Sequence, residues 1–129
     1  MKILIVDDDV ELAGLLTEIL LAHEYEASAV FNGTEGLERI TADPPDVALL
    51  DINMPGIDGI SLCKEIRSND RFRAMKIIML TFSDVPSDIA KAVSAGADAY
   101  INKGTKAAVI VARIEDLVRL QKPPEGVNT

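Results

Sequence analysis

Four apolar runs, each ending abruptly in a polar residue, limit what this chain can become. They are Ile3-Leu4-Ile5-Val6 before Asp7-Asp8-Asp9, Val47-Ala48-Leu49-Leu50 before Asp51, Ile77-Ile78-Met79-Leu80 before Thr81, and Ala99-Tyr100-Ile101 before Asn102-Lys103. Apolar stretches of this length without alternation fit strands covered on both faces, as in a parallel sheet sandwiched by helices. Asp51 is then a charge delivered to the edge of a core. A lone Asp after a strand would simply begin a polar loop. Three more polar strand ends make a shared site the better reading.

The segments between these runs carry helical patterns. Leu12, Leu15, Leu16, Ile19 and Leu20 recur at helical spacing, with Asp9 placed to cap their start. Tyr25 to Phe31 reads as a weaker strand near a sheet edge. Asn32-Gly33-Thr34 opens a short helix carrying Leu37 and Ile40, and Asp43-Pro44-Pro45 ends it. Asp58 or Ser61 starts a helix with Ile60, Cys63 and Ile66 on one side, followed by a polar loop from Ser68 to Met75 anchored by Phe72. Pro86 suits the first turn of the next helix, and Gly96 a left-handed stop. Asp98 to Asn102 is the fifth strand. Ala107 to Leu120 is the last helix, with Val111, Ile114, Leu117 and Val118 apolar. Residues 122–129, with Pro123-Pro124 and Gly126, read as a flexible tail or the start of a linker, which leaves 1–121 as one domain.

Composition removes several classes of function. The net charge of −8 argues against direct nucleic-acid binding, which needs a basic surface. That charge is uneven: residues 1–60 hold thirteen acids against Lys2 and Arg39, whereas 61–129 hold eleven bases against eight acids. No apolar run approaches the roughly 18 residues of a membrane span, and the start of the chain lacks signal-peptide architecture, so a cytoplasmic protein is expected. Cys63, alone among helix-forming residues, is expected to be a packed thiol without a role. His23 stands alone near a helix end and offers no zinc or copper set.

Strands alternating with helices predict an α/β fold: a doubly wound, five-stranded parallel sheet with helices on both faces. Ligands of such sheets bind beyond the carboxyl ends of the strands, where strand order reverses. Asp7, Asp8, Asp51, Thr81 and Lys103 converge there by topology alone. Three clustered carboxylates repel one another unless a cation sits among them. Oxygen ligands with room for water and a phosphoryl oxygen suit Mg²⁺. An Asp carboxylate beside Mg²⁺ can attack phosphorus to make an acyl phosphate, with Lys103 and Thr81 meeting the new charge.

Ile5-Val6-Asp7-Asp8, Leu50-Asp51-Ile52-Asn53-Met54-Pro55-Gly56-Ile57-Asp58-Gly59, Met79-Leu80-Thr81 and Tyr100-Ile101-Asn102-Lys103 together resemble the response-regulator receiver domain of two-component signalling, over roughly residues 2–120. The resemblance implies the flavodoxin-like strand order 2-1-3-4-5. It implies that Asp51 accepts a phosphoryl group from a sensor histidine kinase or a histidine phosphotransfer protein. It also implies that Asp8, Asp51 and the Asn53 backbone carbonyl bind Mg²⁺ directly and Asp7 through water. Thr81, the Phe82 backbone and Lys103 would bind the phosphoryl oxygens. Thr81 and Tyr100 would form a switch that rearranges the face of the fourth helix, fifth strand and fifth helix, where Lys91, Lys106 and Arg113 are expected. Tyr100 reads equally as a half-buried strand aromatic.

Two positions depart from the family pattern. Phe82 stands where a small residue usually follows the threonine; its ring either narrows the approach to Asp51, slowing phosphorylation by small donors or hydrolysis, or points outward to a partner. Gly104 stands where a cis proline usually follows the lysine. A cis bond without proline costs about 2.5–4 kcal/mol, so a trans, looser loop is expected.

Two rivals are a phosphorylation-independent binding module and a phosphohydrolase of the haloacid dehalogenase type. The second needs an Asp two residues after its nucleophile, and Asn53 has no carboxyl proton to exchange. The output is a downstream effector or a covalently linked domain, and homodimerisation through the fourth and fifth helices stays open. Leu12 and Leu15 serve either kinase docking or the core.

Overall fold

The computed structural model describes residues 1–82 and 85–119. The expected tail and Leu120 lie outside the described residues. Five strands, β1 (Lys2–Val6), β2 (Glu26–Val30), β3 (Val47–Asp51), β4 (Lys76–Thr81) and β5 (Ala99–Asn102), alternate with five helices, α1 (Val10–Ala22), α2 (Gly33–Ala42), α3 (Gly59–Arg67), α4 (Pro86–Ala95) and α5 (Ala107–Arg119). All strand pairs are parallel, in the order β2-β1-β3-β4-β5. The order reverses between β1 and β3, so a crevice opens above their carboxyl ends.

Side-chain alternation along the strands divides the interior into two cores. Leu4, Val6, Ala48, Leu50, Ile77 and Met79 face α2, α3 and α4 through Ile40, Leu62, Cys63, Ile66, Ala92 and Ala95. Ile3, Ile5, Val47, Leu49, Ile78, Leu80 and Ile101 face the other way, onto Ala13, Leu16 and Leu20 of α1 and Ile110, Val111, Ile114 and Val118 of α5. Every residue of β3 is buried, as its unbroken apolar run requires. Both cores meet the same five strand ends.

The caps follow local chemistry. Asp9, Asn32 and Asp58 accept from the backbone N–H three residues on, at 3.1, 2.8 and 2.8 Å. Pro86 occupies the first turn of α4, and Gly96 ends it at φ 105°. Some boundaries differ from expectation. β2 is shorter by Tyr25 and Phe31: Tyr25 sends its hydroxyl to Glu115 at 3.1 Å, and Phe31 is exposed. The loop after α3 contains a 3-10 turn, Asp70–Phe72, that buries Phe72. Asp98 stays outside β5 and turns its carboxylate to the Ile77 N–H at 2.9 Å. Leu62 and Ile110 join the cores beyond the residues expected, whereas Ile60 and Leu117 are half-buried. Leu12 packs against the core while Leu15 is exposed.

Candidate functional site

Backbone register brings the polar strand ends together. Val6 pairs with Leu50, Leu50 with Met79 and Thr81 with Asn102, so the next residues outward, Asp7, Asp51 and Lys103, share one edge. Asp7 N–H donates to Val30 O at 3.1 Å, and Lys103 N–H to Thr81 O at 2.8 Å, which extends the ladders one residue past the strands. Asp7, Asp51, Thr81 and Lys103 are all buried, a rare state for charged groups that demands partners. Asp8 is exposed.

Lys103 supplies the internal counter-charge. Its Nζ donates to Asp7 Oδ1 at 3.0 Å and lies 3.5 Å from Asp51 Oδ2. Asp7 Oδ1 also accepts from Asp9 N–H at 2.9 Å, and Asp51 Oδ1 from Asn53 N–H at 3.3 Å. Asp7 Oδ2 is buried and lies 2.9 Å from Lys103 Nζ as an ion pair, with no hydrogen bond to it among the described residues. One lysine cannot neutralise three carboxylates. Burial first, and then the Asp7 charge, push the Asp51 carboxyl up to about 7 against the opposing pull of Lys103. Burial alone would lower Lys103, but its hydrogen bond to Asp7 and the charges of Asp7 and Asp51 hold it above the ordinary lysine value.

Asp7, Asp8 and Asp51 each present an oxygen within 4.8 Å of the others, a spacing that fits one metal ion. The all-oxygen donor set of Asp7, Asp8 and Asp51 suits a hard divalent cation. Asn53 is exposed beside Asp51. Tyr100 is half-buried and paired in register with Met79.

Two contacts near the site were not specified by the sequence, which placed Gly59 only within a turn motif and left the direction of the Phe82 ring open. Gly59 lies against the backbone of Asp51: a Cβ there would collide with the Asp51 carbonyl oxygen, and Gly59 N–H donates to Ile52 O at 2.9 Å. Its place after Asp58 in the turn was the only signal. The second is the ring of Phe82, which sits with its centroid 5.3 Å from Lys103 Nζ while remaining 66% exposed. The Lys103–Gly104 bond is trans, as expected, and Gly104 N–H donates to Asn102 Oδ1 at 2.7 Å.

Fold and site define a doubly wound α/β domain with an acidic cluster and one lysine at its switch point. A family model for the response regulator receiver domain matches residues 3–115, and the chain belongs to that family, the receivers of two-component systems. It is 38% identical over 122 residues to the transcriptional regulatory protein BaeR of Escherichia coli O6:H1, covering 95% of this chain and 50% of that protein. It is 35% identical over 118 residues to the DNA-binding response regulator MtrA of Mycobacterium tuberculosis H37Rv, covering 92% and 50%. The chain spans about half the length of the curated relatives it matches. Among solved structures, the BeF3-activated N-terminal receiver domain of Klebsiella pneumoniae RstA superposes with a TM-score of 0.83 at 34% identity, covering 92% of this chain and 99% of that one. A CheY-like receiver domain protein from Methanospirillum hungatei JF-1 gives 0.85 at 31%, covering 93% and 94%. The expected family and the strand order 2-1-3-4-5 are thus both borne out.

Proposed function

We propose that Asp51 is the phosphoacceptor of this receiver, taking a phosphoryl group from a phosphohistidine of a sensor kinase or phosphotransfer protein. One observation carries the reading: a buried Asp51 carboxylate lies 3.5 Å from the Lys103 ammonium and within metal-sharing distance of Asp7 and Asp8. An Asp51 oxygen forms the new P–O bond as the P–N bond breaks, and the leaving imidazole nitrogen takes a proton from solvent. Lys103 then holds a phosphoryl oxygen, and Thr81, buried at the end of β4, supplies a hydroxyl with the Phe82 backbone N–H beside it. Asp7, Asp8, Asp51 and the Asn53 carbonyl are the proposed holders of Mg²⁺. When bound, that ion neutralises charge on the carboxylates and the incoming phosphoryl oxygens.

Thr81 and Tyr100 form the proposed switch, and the α4–β5–α5 face its readout, passed to an effector or to a linked output domain. The curated relatives named as transcriptional or DNA-binding regulators support the linked form. Residues 1–121 are the proposed receiver, with 122–129 leading out of it. Intact mass after exposure to acetyl phosphate tests the chemistry: one phosphoryl adduct is expected, dependent on Mg²⁺ and lost in Asp51→Asn. An adduct that survives Asp51→Asn would overturn the assignment.

A further inference from the structure

We propose that Phe82 is a positioning residue for Lys103, its ring bracing the ammonium against Asp7 and Asp51 from the solvent side. The inference rests on the reading of Asp51 as phosphoacceptor and Lys103 as the cation that receives the phosphoryl group. A lysine ammonium is strongly hydrated and rides on a flexible four-carbon stem, so one held at a sheet edge tends to swing out to water. Lys103 does not: its side chain is only 4% exposed. Asp7 and Asp51 hold it from within, at 2.9–3.5 Å, and the Phe82 ring centroid lies 5.3 Å from Nζ. That distance is inside the range, up to about 6 Å, at which a cation is attracted to an aromatic face.

Exposure makes the contact informative. A phenylalanine that leaves two-thirds of its surface in water gains little from burial, so its contact with the ammonium stands out from ordinary core packing. The ring in turn keeps water from Lys103, and a cation in a drier setting pulls harder on a charged oxygen. Phosphorylation converts the Asp51 carboxylate into an acyl phosphate, so the 3.5 Å contact must pass to a phosphoryl oxygen. Asp7 and Phe82 are unchanged by that step. They form the fixed part of the lysine's surroundings while its third partner is exchanged.

Brace and obstruction predict opposite signs. The test uses the full chain with Phe82→Tyr, which keeps an aromatic face, Phe82→Leu, which keeps apolar bulk without one, and Phe82→Ala. Phosphorylation by acetyl phosphate at fixed Mg²⁺ is expected to slow by about three- to tenfold in Leu and Ala and to stay within about twofold in Tyr. Leucine at the parental rate, or alanine faster than the parent, would overturn the brace. A second readout needs neither metal nor phosphoryl transfer: proton NMR of the Lys103 ε-methylene, whose ring-current displacement is expected in the parent and Tyr and lost in Leu. A parent without that displacement would also overturn it. Should the parent form no adduct, the phosphoacceptor reading fails and the NMR arm alone decides the brace.

Discussion

Asp51 is a carboxyl group whose surroundings oppose its ionisation. Folding moves it from an ordinary value near 3.8 to about 7, through burial and the Asp7 charge. Between those values the folded form of this group holds its proton while the unfolded form has lost it, so the contribution of Asp51 to the stability of the metal-free protein becomes steadily more unfavourable as pH rises from about 4 to about 7 and levels off above. Asp51→Asn removes that penalty. The variant should melt with the parent near pH 4 and be more stable by about 2–4 kcal/mol at pH 8 without divalent ions. Equal stabilities at pH 8 would show that the ionised carboxylate is already compensated. Asp7, Asp8, Asp51, Thr81 and Lys103 were legible in the sequence, because each follows an apolar run and topology alone gathers strand ends. The Phe82 ring over Lys103 was not, since no periodicity says where an exposed side chain rests. The strand pattern showed the position of Phe82 but left its direction open.

Among the elements, the C-terminal end of α4 is tied to its neighbours by Arg67, in addition to the packing of Ala92 and Ala95 and the Cys63 Sγ bond to Ala95 O at 3.4 Å. Arg67, at the end of α3, donates from Nε to Gly96 O at 2.9 Å and from Nη1 to Phe72 O at 3.3 Å. Its Nη2 pairs with Asp98 Oδ2 at 2.8 Å, and the same carboxylate oxygen accepts the Ile77 N–H. One guanidinium thus ties together α3, the 3-10 turn, the cap of α4 and the approach to β5. Arg67→Ala leaves two carbonyls and a carboxylate without this donor, and should lower stability by about 1.5–3 kcal/mol. Urea unfolding checks this: the midpoint should fall with the slope unchanged. A midpoint equal to the parent's would mean that water replaces the arginine freely. Helix starts at Asp9, Asn32 and Pro86 and the stop at Gly96 were legible because caps and breakers act within a few residues. The Arg67–Asp98 link spans 31 residues of sequence, so it needed the folded chain to appear. For the same reason the sequence pattern alone extends β5 back to Asp98, whereas the strand begins at Ala99.

The molecule as a whole is two apolar cores on either side of one sheet, with three carboxylates, Asp7, Asp8 and Asp51, gathered at one edge of it. Helices α1 and α5 cover one face, and α2, α3 and α4 the other. Among the described residues, no helix is long and apolar enough to cross a membrane. Mg²⁺ should bind the folded protein and not the unfolded chain, so the melting temperature should climb steadily with its concentration. Asp8→Asn, which removes one exposed ligand without disturbing the core, should blunt that climb; an undiminished climb would place the ion elsewhere. The most direct measurement is chemical trapping of the modified residue. The chain is treated with acetyl phosphate and Mg²⁺, reduced with sodium borohydride and sequenced by mass spectrometry, because an acyl phosphate on aspartate is reduced to homoserine. Homoserine at position 51 alone is the expected result. Homoserine at Asp7 or Asp8, or an intact aspartate at 51 in a chain that has gained a phosphoryl group, would contradict it.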